Sequence, residues 1–269
     1  MEVGFLQFSP IFGKPDRNLE IIKEILRREK APEVLVLPEL ALTGYTFRNP
    51  EEAYLLGEEI GGPLTQELIS IASEYKIIMA VGFLEKEGKK LYNSSLLLRG
   101  DGIKGIYRKV HLFYREKEIF EPGDKGFPVF EVQGVKVGLL LCFDWIFPEA
   151  MRTLMVKGVD IILHSANLIL PYYQAAAVTR AIENRVYIVL ANRTGIEGRY
   201  GMRNEFTGGS EVVNPQGEVI LKVGRRVEGL FSVNISPEDS RNKNITELNN
   251  LLEDRKVDQY EGWDNRQPR

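Results

Sequence analysis

Strand-length apolar runs that alternate with segments of helical periodicity are the strongest constraint on the fold of this chain. The predicted strands are 3–8, 34–37, 77–83, 91–99, 103–109, 130–132, 135–143, 160–163, 186–191, 210–214, 218–223 and 230–234. The predicted helices are 18–29, 62–75, 148–156 and 172–184. Helices between strands indicate sheets covered by helices, and hairpins at 100–102 and at Gly134 indicate mixed strand pairing. The pattern therefore predicts a layered α/β sandwich.

The length of the chain and the lack of a linker between its predicted elements indicate the domain organisation. A chain of 269 residues is within the size of one α/β domain, and no linker, repeat or low-complexity segment divides it. We therefore expect one domain over residues 1–242. The tail, 243–269, is amphipathic up to about residue 255 and then polar. It carries too little apolar surface to fold alone, so we expect it to pack at a subunit interface or to lie loosely.

Composition and charge argue against several classes of function. Lys and Arg number 35 against 38 Asp and Glu, which gives a net charge of −3 with both signs interspersed, so no basic face for nucleic acid is expected. No apolar run reaches the ~18 residues of a membrane span. An apolar strand from Val3 leaves no room for a signal peptide, and a single cysteine cannot form an internal disulfide, so we expect a cytoplasmic protein. His111, His164 and one cysteine at unrelated spacings predict no metal site.

Three reactive side chains follow apolar runs at the point where each run ends. Glu39 follows 34–38, Lys109 follows 103–107 near the end of its predicted strand, and Cys142 closes 137–141. Ligand sites of α/β sheets gather where strands end, so these side chains can converge although they are far apart in sequence. Each alone has a structural interpretation: a buried cysteine is a common apolar filler, and a glutamate with a lysine can be a buried ion pair.

Together the three residue types point to acyl transfer. A carboxylate in an apolar pocket has a raised pKa that suits it to deprotonate a thiol. A lysine beside the reacting carbon can stabilise an oxyanion, together with the backbone N–H that follows the nucleophile, and its charge also favours the thiolate. Because the side chains supply base, nucleophile and electrostatics, we expect neither a metal nor an organic cofactor.

The segments LPELALTGY, YRKVHLF and LLCFDWIFPE resemble the three signature regions of the nitrilase, or carbon–nitrogen hydrolase, superfamily in order, spacing and local context. The resemblance runs from residue 3 to about residue 235 and includes the Gly208-Gly209-Ser210 stretch. It implies a four-layer αββα sandwich, with two mixed β-sheets and helices outside. Members of the family usually dimerise, so the resemblance also implies a homodimer or a higher homo-oligomer.

The same resemblance implies roles for individual residues. Glu39 would be the general base, Lys109 the oxyanion stabiliser and Cys142 the nucleophile that forms a thioester. Many members have a second glutamate before a Pro-Gly, and here Glu118 fits best, four residues before the 122–124 turn. Glu116 and Glu121 are close enough to remain alternatives.

Four further residues are candidates for contact with substrate. Tyr45 follows a Thr-Gly pair close to the predicted base, and Phe143 and Trp145 follow the nucleophile. Asn167 ends a segment that leaves another strand and is expected to line the pocket. Trp145 has an equally good interpretation as a core residue. Asp144 is expected to be structural, bonding the backbone beyond the cysteine.

The residues after the cysteine bear on the substrate. Nitrilases typically read Cys-Trp-Glu, whereas this chain reads Cys-Phe-Asp, which is closer to the amidase, carbamoylase and ω-amidase branches. We therefore expect cleavage of a small amide, ω-amide or carbamoyl compound, with release of ammonia and a carboxylic acid. Hydrolysis of a small nitrile or dinitrile is the alternative reaction. A non-catalytic homologue that acts as a binding module is the alternative outside enzymes.

Overall fold

The computed structural model describes residues 1–260, which contain strands, α-helices and short 3₁₀ turns. The strands are β1 (Glu2–Gln7), β2 (Val34–Val36), β3 (Glu58–Glu59), β4 (Ile78–Glu87), β5 (Lys90–Arg99), β6 (Gly102–Arg108), β7 (Val129–Val132), β8 (Val135–Leu141), β9 (Ile161–Ala166), β10 (Tyr187–Asn192), β11 (Ile196–Arg199), β12 (Met202–Glu205), β13 (Glu211–Val213), β14 (Val219–Lys222) and β15 (Gly229–Asn234). The helices are α1 (Pro15–Arg28), α2 (Pro50–Leu56), α3 (Pro63–Glu74), α4 (Glu116–Ile119), α5 (Pro148–Val156) and α6 (Tyr173–Asn184). Within the described chain, none of the helices is long and apolar enough to cross a bilayer.

The strands form two large mixed sheets. The first has the order β15-β1-β2-β4-β5-β6, with β3 beside β4, and the second has the order β14-β13-β10-β9-β8-β7. Strands β1, β2 and β4 are parallel, as are β8, β9 and β10. Strand β6 is antiparallel to β5, which is antiparallel to β4, so β6 runs in the same direction as β4. The carboxyl ends of β2 and β6 therefore lie at one edge of the first sheet.

Alternating side chains hold the layers together. In β8, Val137 and Leu139 face the core between the two sheets, whereas Leu140 faces the layer that contains α5 and α6. In β2, Val34 likewise faces the core between the sheets and Leu35 faces α1 and α3. A two-residue period buries both faces of each central strand, and each fully buried aliphatic side chain contributes about 1.5–3 kcal/mol. The layers are therefore helix, sheet, sheet, helix, which confirms the predicted αββα sandwich.

Five elements were not predicted from the sequence: α2, β3, α4, β11 and β12. Helix α2 begins at an Asn49 cap whose side chain accepts from the backbone N–H of Glu52. Helix α4 is a single turn, and β11 and β12 form a polar two-stranded hairpin outside the large sheets. Short or polar elements such as these lack the apolar periodicity on which the prediction depended.

The predicted tail begins against its own subunit. The side chain of Lys243 donates to the carbonyls of Asn184 and Arg185 at the end of α6. The tail then turns back, and Leu251 donates its backbone N–H to the Lys243 carbonyl. Residues 261–269 of the tail lie outside the described residues. The domain boundary at residue 242 and the packing of the tail at a subunit interface stay predictions.

Candidate active site

Lys109 lies between two buried carboxylates. Its Nζ donates to Glu39 Oε1 at 2.6 Å and to Glu116 Oε1 at 2.8 Å. All three side chains are almost completely buried. A charge at such a position is tolerated only with a partner, because removing it from water costs several kcal/mol. The three residues therefore form one electrostatic unit.

Neighbouring charges shift the pKa values of Lys109 and Glu116. Burial lowers the pKa of Lys109, but the attraction of Glu116 and Glu39 outweighs burial and raises that pKa above its ordinary range. Burial raises the pKa of Glu116, the Lys109 charge opposes this rise, and repulsion from Glu39 adds to it. Lys109 consequently keeps its proton throughout the neutral range and is not a candidate base.

Glu39 is held at one end of its carboxylate and open at the other. Its Oε1 accepts from Lys109 and, at 2.8 Å, from the Asn93 side-chain amide. Its backbone carbonyl accepts from Asn167 Nδ2 at 2.8 Å. Its Oε2 is buried and has no hydrogen-bond partner among residues 1–260. A fixed carboxylate with one unpartnered oxygen is suited to accept a proton from a neighbouring group.

Backbone contacts fix the position of Lys109 after β6. Its N–H donates to the Asn93 carbonyl and its carbonyl accepts from the N–H of Gly123, both at 2.8 Å. Gly123 lies so close to the Arg108 carbonyl that a side chain would not fit there. The Pro-Gly turn therefore acts as a backbone clamp for the lysine.

Cys142 occupies a sharp turn between β8 and a 3₁₀ turn, Cys142–Ile146. Its φ is +38°, which is uncommon for a residue other than glycine. Asp144 braces this turn: its Oδ2 accepts from the Leu141 N–H at 3.0 Å and from the Tyr107 hydroxyl at 2.7 Å, and its Oδ1 contacts His111 Nδ1 at 2.8 Å. Asp144 thus has a structural position, but it bonds the backbone of Leu141, before the cysteine, and not beyond it as predicted.

The Cys142 thiol belongs electrostatically to the same site. Burial raises its pKa well above the ordinary value, and repulsion from Glu39 adds to this rise. The Lys109 charge and the backbone N–H of Asn167 act in the opposite direction and favour the thiolate. Since burial and repulsion dominate, the thiol is protonated at neutral pH and needs a base before it can attack.

The prediction that Glu118 is the second active-site glutamate differs from the structure. The Glu118 side chain is 62% exposed and pairs with Arg115 Nε at 3.0 Å, whereas that of Glu116 is 3% exposed. Residues two apart on a helical turn point to different sides, so only one of them can face Lys109. Glu116, an alternative in the sequence analysis, occupies the position expected of Glu118.

The four predicted substrate contacts have different surroundings. Tyr45 lies at the site and donates from its hydroxyl to Glu116 Oε1 at 2.7 Å. Phe143 is partly exposed and packs against Phe113, with the ring centroids 5.1 Å apart. Asn167 holds the backbone of the predicted base, as described above. Trp145 is buried in the same apolar cluster as Cys142, with its ring 5.5 Å from that of Tyr173, so it has a core position and its contact with substrate stays a prediction.

A buried ion pair that the sequence did not reveal supports Tyr45. The Glu197 carboxylate accepts from the backbone N–H groups of Tyr45 and Thr46, and it pairs with Arg193 at 3.1 Å. Arg193 also covers the ring of Phe206 at 4.0 Å. The only sequence signal was an Arg and a Glu four residues apart, a spacing that is usually found on exposed helices. Here the pair flanks the start of β11.

His164 is a second residue whose contacts the sequence did not reveal. Its Nε2 lies 3.1 Å from the Cys142 carbonyl oxygen, and its Nδ1 lies 2.6 Å from the Tyr173 hydroxyl. A carbonyl oxygen only accepts, so Nε2 carries the proton and Nδ1 accepts from Tyr173. Burial lowers the pKa of His164 to about 4, and the opposing attraction of Asp144 is weaker.

Comparisons with known proteins identify related sequences and a related fold. The carbon-nitrogen hydrolase family model matches residues 3–244. A nitrilase of Pyrococcus abyssi is 40% identical over 263 residues, which cover 97% of this chain and 99% of that protein. A 2-oxoglutaramate amidase of Bacillus subtilis is 31% identical, with 88% of this chain and 92% of that protein covered. A solved amidase of the nitrilase superfamily from Nesterenkonia AN1 has a TM-score of 0.80 at 25% identity, covering 98% of this chain and 97% of that one.

The buried imidazole predicts a pH dependence of stability. His164 has a pKa of about 4 in the folded chain and about 6.5 in the unfolded chain. Between these values the unfolded state binds more protons, so the His164 contribution is complete above the unfolded value and is lost as pH falls. The loss amounts to about 3 kcal/mol. Urea unfolding near pH 7 and near pH 4 should show a smaller acid loss for His164→Gln than for the wild type, and equal losses would contradict the assignment.

Proposed function

The chain belongs to the carbon-nitrogen hydrolase family, and we propose that it cleaves the C–N bond of a small amide, ω-amide or carbamoyl compound through a thioester on Cys142. The observation that carries the proposal is the joint position of Glu39, Lys109 and Cys142. The carboxylate has a free buried oxygen, the ammonium is fixed, and the thiol is protonated until a base acts.

The first half-reaction transfers the acyl group. Glu39 Oε2 takes the thiol proton as Cys142 Sγ attacks the carbonyl carbon, which gives a tetrahedral intermediate with a negative oxygen. Lys109 and the backbone N–H of Phe143 are the donors for that oxygen. The C–N bond then breaks, the departing nitrogen takes the proton from Glu39, and ammonia leaves a thioester behind.

The second half-reaction uses the same base. Glu39 removes a proton from water, the hydroxide attacks the thioester carbon, and the sulfur leaves and regains its proton from Glu39. Glu116 shares Lys109 with Glu39 and is held by Tyr45, so it orients the ammonium.

Amides are favoured over nitriles by the Cys-Phe-Asp sequence and by likeness to the 2-oxoglutaramate amidase. Nitrile hydrolysis is the second candidate, since the relative named a nitrilase is 40% identical along nearly the whole chain. The same thiol and base serve both reactions: the thiolate adds to the nitrile carbon and the nitrogen takes the proton from Glu39 to give a thioimidate. One water then displaces ammonia to leave the thioester, and a second water releases the acid.

Ammonia release from matched amides and nitriles of the same acyl group tests the proposal. We expect faster release from the amide, a mass increase on the intact chain equal to the acyl group, and loss of both in Cys142→Ala. A preference for the nitrile would support the second candidate. Release by Cys142→Ala at the wild-type rate would refute the thioester, and no hydrolysis across the panel would favour a binding module.

A matched pair of variants separates the two neighbouring glutamates. Glu116→Gln removes a carboxylate bound to Lys109, so we expect a fall in kcat/KM of about 10²–10⁴-fold. Glu118→Gln alters an exposed ion pair and should change kcat/KM by less than about threefold, since such pairs contribute under ~1 kcal/mol. Steady-state ammonia assays measure both. A larger loss in Glu118→Gln would return the catalytic role to that residue.

We further propose that the protein is a homodimer or higher homo-oligomer in a reducing cytoplasm, where the lone thiol stays free. Family resemblance and the exposed apolar side chains of the tail support association; Leu248, for example, is 91% exposed. Light scattering across a dilution series measures the mass. A monomer at every concentration would contradict the oligomer.

A further inference from the structure

His164 is a buried polar group that the proposed reaction does not use. It lies on β9 beside Leu140 of β8, in the parallel register Leu140↔His164, and is 0% exposed. Its ring packs 4.7 Å from that of Tyr173. A strand position that faces apolar helices is expected to carry an aliphatic residue, so an imidazole with both nitrogens engaged needs a physical reason.

The reason lies in the peptide that follows the nucleophile. The peptide group is planar and trans, so the Cys142 carbonyl and the Phe143 N–H point in opposite directions. His164 Nε2 draws the carbonyl towards the core, at 3.1 Å. The Phe143 N–H is thereby directed away from the core. Phe143 is the second residue of its 3₁₀ turn, and the first N–H groups of a helical turn have no acceptor within it.

We propose that His164 is a positioning residue for acyl transfer: by holding the Cys142 carbonyl, it aims the Phe143 N–H at the oxygen of the tetrahedral intermediate. The inference rests on the proposed function. It adds to that function a residue other than Glu39, Lys109 and Cys142. His164 contacts neither substrate nor the reacting atoms. It acts through the orientation of one peptide group.

Tyr173 completes the arrangement. Its hydroxyl donates to His164 Nδ1 at 2.6 Å, which fixes the tautomer with the proton on Nε2. The opposite tautomer would set the Nε2 lone pair against the Cys142 carbonyl oxygen, and the peptide would turn. The left-handed φ of Cys142 makes such support necessary, because a non-glycine residue does not hold that conformation without surrounding contacts.

Two reactions of the same thiol distinguish positioning from simple packing. Amide hydrolysis passes through an oxyanion and needs the Phe143 donor. Alkylation by iodoacetamide forms the S–C bond and expels iodide at a saturated carbon, so no oxyanion develops. A residue that aims the donor affects hydrolysis alone, whereas a residue that merely fills the core affects both reactions through the position of the sulfur.

The experiment compares wild type, His164→Leu and His164→Gln in both reactions. Leucine has no donor, so we expect kcat for ammonia release to fall about 10²-fold or more, as when one oxyanion donor is lost. KM and the alkylation rate should change by less than about threefold, since ground-state binding and the thiol are retained. Glutamine offers an N–H near the Nε2 position and should recover at least about tenfold of the lost kcat.

Tyr173→Phe keeps the imidazole but removes its tautomer partner, so it should show a smaller fall in hydrolysis with unchanged alkylation. If circular dichroism shows that His164→Leu does not fold, Tyr173→Phe is the variant that tests the positioning role. Equal losses in hydrolysis and alkylation would overturn the inference, and so would full hydrolysis in both His164→Leu and Tyr173→Phe. In either case an active wild type would still uphold the proposed function. A wild type that releases no ammonia would overturn both.

Discussion

The ammonium of Lys109 between the carboxylates of Glu39 and Glu116 is the interaction on which the site depends. Two buried carboxylates within reach of each other repel and would take up protons if left alone. One buried cation makes both tolerable, and removing one partner from such a group costs about 3–5 kcal/mol. The contacts from Asn93 and Tyr45 each satisfy one of the remaining lone pairs of these carboxylates.

This charge arrangement also suits the proposed reaction. In the proposed reaction the thiol starts neutral and Glu39 starts as the carboxylate that accepts its proton, beside the Lys109 ammonium. During attack the proton moves from sulfur to Glu39 and the negative charge moves to the substrate oxygen, so the total is unchanged. A low-dielectric site penalises a change in net charge far more than a shift of charge between fixed groups. Glu116 takes no part in this proton transfer and holds the Lys109 ammonium in place.

The sequence predicted the layers and the three reactive residues for one physical reason. Continuous apolar runs identify the central strands that precede Glu39 and Cys142, and Lys109 follows the edge strand β6. The distance to the Pro-Gly turn favours Glu118 over Glu116, and α4, a single turn without periodicity, carries no signal against it; only the contact with Lys109 decides which side is buried. Contacts between distant segments, such as Glu197 with the Tyr45 loop, leave no local pattern at all.

The nucleophile itself shows why some polar residues lie where apolar ones are expected. Cys142 holds a left-handed conformation that costs about 1–2 kcal/mol for a residue with a Cβ. Asp144 accepts the N–H of the preceding residue, Leu141, and His164 binds the carbonyl of Cys142 itself, so the turn is held from both ends. Each bond contributes about 0.5–1.5 kcal/mol, enough together to offset the strain. An aspartate two residues after the cysteine and a histidine on the adjacent strand are therefore parts of the same turn, although the sequence separates them by twenty residues (164 − 144 = 20).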